Sequence, residues 1–219
     1  MIAMGASAWY GLRWCAQPAS WAKTWVKTAA VVPLVLLAVF AGGPVALILA
    51  LALCALGDYL LSRDREAQFI AGVAAFAAGH VAYVVLFLTH PLGDVSHILR
   101  QPNIPVIAAL VGLGAVMLPV LWRHAGDLRI PVMIYVPVIL SMGVTVLALP
   151  ELTLAHWAAA LFILSDFTLA MDMFVLRDDT RAKRLAPFVV WPTYWGAQFL
   201  FLVVFSAISQ LPVAAMVVQ

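Results

Sequence analysis

The sequence predicts an all-α fold, a polytopic transmembrane helix bundle of seven to eight spans. Three observations carry that reading. The 219 residues are 65% hydrophobic and only 10% charged, with a mean hydropathy of +1.05, which leaves too little polar surface to cover a water-soluble globule. Apolar runs approach the roughly 20 residues that a spanning helix needs, and turn-forming residues separate them. Basic residues gather in alternate breaks, the pattern of the positive-inside rule.

Each element follows from its punctuation. The first segment, 2–16, is apolar apart from Arg13 and rich in Trp and Tyr, so it reads as a short eighth span that is shallow or tilted. A helix near 29–41 stops at Gly42-Gly43-Pro44, and the next, near 44–61, stops before Arg63. The run 67–89 ends at Pro91-Leu92-Gly93, and 104–122 lies between Gln101-Pro102-Asn103 and Arg123. Gly126-Asp127 and Pro150-Glu151 bracket 130–149. The last two helices, 152–175 and 187–208, flank the basic run from Arg177 to Arg184. Nothing resembles a linker, so 1–219 is one integral-membrane domain: a short first span with its loop (1–28), a core bundle (29–208) and an external tail (209–219).

Charge placement tests this map. Lys23 and Lys27, Arg63 and Arg65, Arg123 and Arg129, and Arg177, Arg181, Lys183 and Arg184 fall in alternate loops, whereas Arg100 stands alone on the other side. These four loops are therefore expected in the cytoplasm and the C-terminus outside. A net charge of +2 gives no case for nucleic acid. Cys15 and Cys54 both sit in apolar surroundings, so neither a disulfide framework nor a metal or cofactor is expected.

Against this background two acids stand out. Asp58 and Asp166 lie inside apolar runs in the matching settings Leu56-Gly57-Asp58 and Leu164-Ser165-Asp166. A carboxylate at membrane depth costs roughly 2.5 to 3.5 kcal/mol on insertion scales, and no lysine shares either run, so a use is expected. Counting back from Arg63 and Arg177 puts them about 7 Å and about 16 Å from the inner charged boundary. His80 and Tyr83 share one face of the next helix, as do Tyr194 and Gln198 of the last. Lys27, at the end of its helix, is expected to snorkel to a headgroup. Asp58 and Asp64 recur as Asp166 and Asp172, and Val32-Pro33 recurs as Val136-Pro137. That order fits either a parallel duplication of four helices or coincidence in low-complexity apolar sequence.

The stretch from Leu56-Gly57-Asp58 through Phe76, His80, Ala82-Tyr83 and Phe87 bears on kinship, as does Ala160 to Asp166 through Phe174 with Tyr194 and Gln198. This ordered set resembles the YhhN-like lysoplasmalogenase family over about Trp25 to Phe205. The resemblance implies a small multispanning enzyme, usually with eight helices, that cleaves the vinyl ether bond of a lysoplasmalogen to a fatty aldehyde and a glycerophospho headgroup. Asp58 and Asp166 match its two essential acids. Lys27 matches a lysine before its second helix, although Thr28 stands where the family usually has proline. The implied substrate is a lysophospholipid or ether lipid within the bilayer, and the implied place is a bacterial inner membrane.

Two carboxyl groups suit that reaction. Proton transfer to the β-carbon of a vinyl ether gives an oxocarbenium ion, which water attacks at the carbon bearing oxygen. One group must act as acid and the other as anion. Two close carboxylates resist joint ionisation, so they are expected to share a proton, much as the acid and base of a glycosidase divide their work. Asp166 is assigned as proton donor and Asp58 as the group that orients water. Ser165 beside Asp166 is assigned to substrate binding; His80, Tyr83, Tyr194 and Gln198 are assigned to water or glycerol hydroxyls, and Lys27 or Arg63 to phosphate. Blander readings stand beside these: Asp58 ending a helix at the interface, Asp64 and Asp172 solvated, His80 a packed histidine, Tyr194 a belt anchor. The alternative function is a proton-coupled transporter of a small molecule or lipid. A zinc hydrolase would need three converging ligands, and only His80 is well placed.

Overall fold

The computed structural model describes residues 2–18, 20–63 and 65–208. The expected tail, 209–219, lies outside the described residues, and so does Asp64. Among the described residues eight α-helices follow one another: α1 Ile2–Trp9, α2 Trp21–Phe40, α3 Val45–Leu61, α4 Glu66–Thr89, α5 Asn103–His124, α6 Arg129–Thr145, α7 Thr153–Phe174 and α8 Arg181–Ile208. Six of them, α2 and α4 to α8, are long and apolar enough to cross a membrane; α3 is apolar but shorter, at 17 residues. The chain is an integral membrane protein.

Two helices begin well before the hydropathy reading placed them. Ser20 caps α2 by accepting from the Lys23 backbone N–H at 3.1 Å, so the helix starts at Trp21 rather than near residue 29. Lys23 and Lys27 are therefore inside a helix, not in a loop. Thr180 Oγ1 accepts from the Lys183 N–H at 3.2 Å just before α8. The helix opens at Arg181, ahead of its apolar run, and its 28 residues extend about 42 Å. Hydropathy marks the part of a helix that meets lipid, and capped charged turns beyond it are invisible to that measure.

The first segment is a helix of 8 residues continued by a π-helical turn over Tyr10–Trp14. Together they rise about 20 Å, short of the roughly 30 Å hydrocarbon core. Trp191 Nε1 on α8 donates to the Ser7 carbonyl at 2.9 Å, and the Trp191 ring lies 4.2 Å from that of Tyr10. The segment is thus docked on the bundle by its aromatic residues.

Apolar side chains face outward, among them Leu36, Leu37, Phe40, Val85 and Trp157, while Asp58, His80, Ser165, Asp166 and Gln198 are buried. With hydrocarbon outside, packing depends on close helix approach rather than on the hydrophobic effect. Glycines supply that approach between α3 and α4. A Cβ on Gly57 would sit 2.5 Å from the Phe76 ring, and one on Gly79 2.8 Å from Cys54 Sγ. The two most extensive pairings, α3 with α4 and α7 with α8, occupy matching places in the two halves. One large core cluster joins α2, α3, α4, α7 and α8. A second, built on Met117, Leu121, Ala125, Val132 and Val136, joins α5 and α6 to one face of α7.

Candidate active site

Asp58 sits one turn before the end of α3, held at that depth because Gly57 lets α4 lie against it. Its carboxylate is 1% exposed and lies 2.7 Å from Lys27 Nζ through Oδ1. Its other oxygen accepts from Tyr194 Oη at 2.6 Å. Lys27 therefore does not run out to a headgroup. It is the seventh residue of α2, about 9 Å beyond the helix start, and it turns inward to a carboxylate that burial would otherwise leave uncompensated.

Asp166, on α7, has different company. Tyr135 Oη donates to its Oδ2 at 3.1 Å, and His80 Nε2 lies 3.2 Å from the same oxygen. His80 Nδ1 is 2.8 Å from the Phe76 carbonyl. A carbonyl only accepts, so Nδ1 carries the ring proton. In the neutral ring Nε2 then offers a lone pair toward Asp166. Among the described residues no hydrogen bond or ion pair engages Asp166 Oδ1, which leaves that oxygen for a ligand.

Both acids line one cavity of about 310 Å³. Lys27, Ser165 and Tyr194 share its wall, as expected residues, and Tyr10, Phe76, Tyr135 and Trp191 complete the polar end. Ser165 Oγ donates to the Val190 carbonyl at 3.1 Å and so clamps α7 to α8. His80, Tyr83 and Gln198 are fully buried and stand behind the wall rather than on it. Tyr83 Oη donates to Gln198 Oε1 in that layer. Phe162 stiffens it, with its ring edge-on at 4.5 Å from His80, 5.5 Å from Tyr194 and 6.2 Å from Tyr83.

Asp172, read as solvated, is only partly exposed at the cavity mouth, 3.4 Å from Lys183 Nζ. Lys23 lines the same mouth. Arg63 does not line it; its guanidinium lies 3.1 Å over the Trp21 ring. Tyr135, Tyr10 and Trp191 went unread as site residues because Tyr and Trp in an apolar sequence signal an interfacial belt first. The alignment of Tyr135 with Asp166, 31 residues apart, is a tertiary fact with no local signature.

The YhhN family pattern matches residues 22–205. Lysoplasmalogenase TMEM86B of Sus scrofa is 36% identical over 197 residues, which cover 88% of this chain and 78% of that protein. Lysoplasmalogenase TMEM86B of Homo sapiens is 33% identical over 151 residues, 69% of this chain and 59% of its own length. Lysoplasmalogenase TMEM86A of Bos taurus is 33% identical over 157 residues, 67% of this chain and 59% of its own. No solved structure matches.

Proposed function

The chain belongs to the YhhN family, and on that premise we propose that it is an intramembrane hydrolase cleaving the vinyl ether bond of lysoplasmalogen-type lysophospholipids. The products are a fatty aldehyde and the glycerophospho headgroup. One observation carries the reading: two carboxyl groups on one cavity wall have opposite partners, a lysine and a tyrosine for Asp58, a tyrosine and a neutral-capable imidazole for Asp166.

The division of labour follows from those partners. Asp58, with a cation at 2.7 Å and a donated hydroxyl at 2.6 Å, is the standing anion. Among the described residues Asp166 meets no lysine or arginine; Tyr135 and His80 hold its Oδ2, and Oδ1 is left to carry the acid proton toward a ligand. Asp166 gives the proton on Oδ1 to the β-carbon of the vinyl ether, and the double-bond electrons form the new C–H bond. The positive charge that develops on the ether carbon is stabilised by the Asp58 carboxylate. Water oriented by Asp58 adds to that carbon, and its released proton restores the acid. The resulting hemiacetal breaks its bond to the glycerol oxygen, which takes the hydroxyl proton, and the aldehyde leaves. Tyr194 fixes Asp58, while Tyr135 and His80 fix Asp166.

In the membrane, the end of the bundle bearing Arg63, Arg123, Arg129 and Arg177 faces the cytoplasm in this reading. The substrate then enters from the inner leaflet, in a bacterial setting the inner membrane. Lys23 and Lys183, at or beside the mouth, are placed to meet the phosphate. The test is aldehyde release from a lysoplasmalogen by purified protein, alongside Asp58→Asn and Asp166→Asn. Both variants should stay helical and lose turnover; full activity in either removes the mechanism.

A further inference from the structure

The cavity is not only a polar pocket. Away from the two acids its lining forms an apolar arm, walled by Gly114 and Met117 of α5, Val136 and Leu140 of α6, and Phe167 and Ala170 of α7. On α5 the lining continues from Leu113 to Leu121, a distance of about 12 Å along the helix axis. No lining residue on α5 is polar or charged, and on α6 only Tyr135, which bonds Asp166, is polar. The arm is walled by the smaller core cluster and the side chains packed against it.

That wall is thin at one place. α5 packs along α6 but touches α7 at only a few points. It is also the least buried of the long helices, with 17% of its apolar window inside the protein. The wall that separates the arm from surrounding lipid is therefore the α5–α7 contact.

We propose that this arm is the binding site for the single hydrocarbon chain of the substrate, which enters laterally from the bilayer between α5 and α7. The inference rests on the lysolipid reading above and extends it to the route and the chain. Three features select an unbranched chain over another occupant: a wholly apolar lining on α5, a polar end bearing two acids and Lys27, and the lysine-bearing mouth beyond. An amphiphile with one tail matches that order of surfaces; a small polar solute leaves the arm empty. Gly114 lies toward the end of the α5 lining away from Leu121. A Cβ there would sit 2.7 Å from Leu140 Cδ1, and both residues line the arm, so bulk at this position pushes itself or Leu140 into the space of the chain.

The experiment uses the full-length wild-type protein in detergent and a lysophosphatidylcholine with a diazirine near the end of its acyl chain. The acyl ester lacks a vinyl ether, so the probe is not consumed. Photolabel is expected on 113–121, 132–140 or 163–174 and should be displaced by unlabelled lysophosphatidylcholine. Label confined to the outer faces, for example around Leu36, Leu37 and Phe40 of α2, or label that no competitor displaces, overturns the arm. In parallel, Gly114→Leu should shift the kcat/KM ratio of short-chain to long-chain vinyl ether substrates by tenfold or more toward short chains. An unchanged ratio in a folded, active Gly114→Leu enzyme also overturns it; if that variant does not fold, Gly114→Ala and the photolabel decide. Displaceable label in the arm without aldehyde release from any vinyl ether sinks the hydrolase reading and leaves the arm. Aldehyde release with label elsewhere does the reverse.

Discussion

Asp58 and Asp166 occupy equivalent sequence settings, yet the bundle surrounds them differently. Asp58 receives a full positive charge from α2 and a hydroxyl from α8. Asp166 receives a hydroxyl from α6 and an imidazole from α4, and among the described residues no lysine or arginine. Two identical side chains in one cavity therefore have different partners through the helices that reach them. In the proposed mechanism, asymmetry in the surroundings, not in the acids, separates donor from anion.

Removing either carboxyl tests that asymmetry most severely. In the proposed mechanism Asp166→Asn deletes the proton donor and Asp58→Asn deletes the anion, and each should lower turnover by about 10²- to 10⁴-fold. Single-turnover aldehyde release measures it. If one variant falls and the other does not, the two-acid account fails.

The next effect belongs to stability. Lys27→Met strands a buried carboxylate, a loss of about 3–5 kcal/mol for a broken buried pair. Thermal unfolding in detergent should show a large drop. Adding Asp58→Asn to Lys27→Met should recover much of that loss while activity stays absent. No recovery in the double variant would mean that Lys27 supports the fold by some other contact.

The tyrosines sharpen the comparison. Tyr194→Phe removes a donor to a charged oxygen, about 1.5–3 kcal/mol, whereas Tyr135→Phe removes a bond nearer the neutral range of about 0.5–1.5 kcal/mol. Read through kcat, the first should cost about tenfold or more and the second only a few-fold. Equal losses would erase the difference between the two sites.

A control lies outside the membrane. Asp94 caps the short turn Val95–His97, and its Oδ1 accepts from Ser96 Oγ at 2.6 Å and from the Ser96 N–H at 2.9 Å. The Ser96 hydroxyl first, then its N–H and the charge of Arg100, hold this carboxyl below the ordinary range against a small desolvation. A lowered folded value means that its contribution is present above the unfolded pKa and fades as pH falls through the folded one. Asp94→Ala should slightly lower thermal stability at neutral pH, less so in acid, and leave turnover unchanged. A loss of activity there would mean that the loop reaches the site.

Much of this was legible in the chain. The spans followed from hydropathy and from glycine and proline breaks, because both report directly on lipid and on backbone geometry. Asp58 and Asp166 stood out because a carboxylate in an apolar run is costly. The inward turn of Lys27 did not, since it depends on the Ser20 cap that starts α2 early. Tyr135, Phe162 and the Tyr10–Trp191 pair were equally hidden: aromatic residues serve lipid interfaces and cores alike, and only the packing of distant helices separates the two uses. His80, Tyr83 and Gln198 were visible as polar residues at depth, but their place behind the cavity wall depends on how α4 and α8 rotate about their axes.

The most direct measurement is the infrared carbonyl stretch of a protonated carboxylic acid in the resting protein near neutral pH. The account predicts one such band in the wild type, absent from Asp166→Asn and retained in Asp58→Asn. A band lost with Asp58 and kept without Asp166, or no band in the wild type, contradicts it.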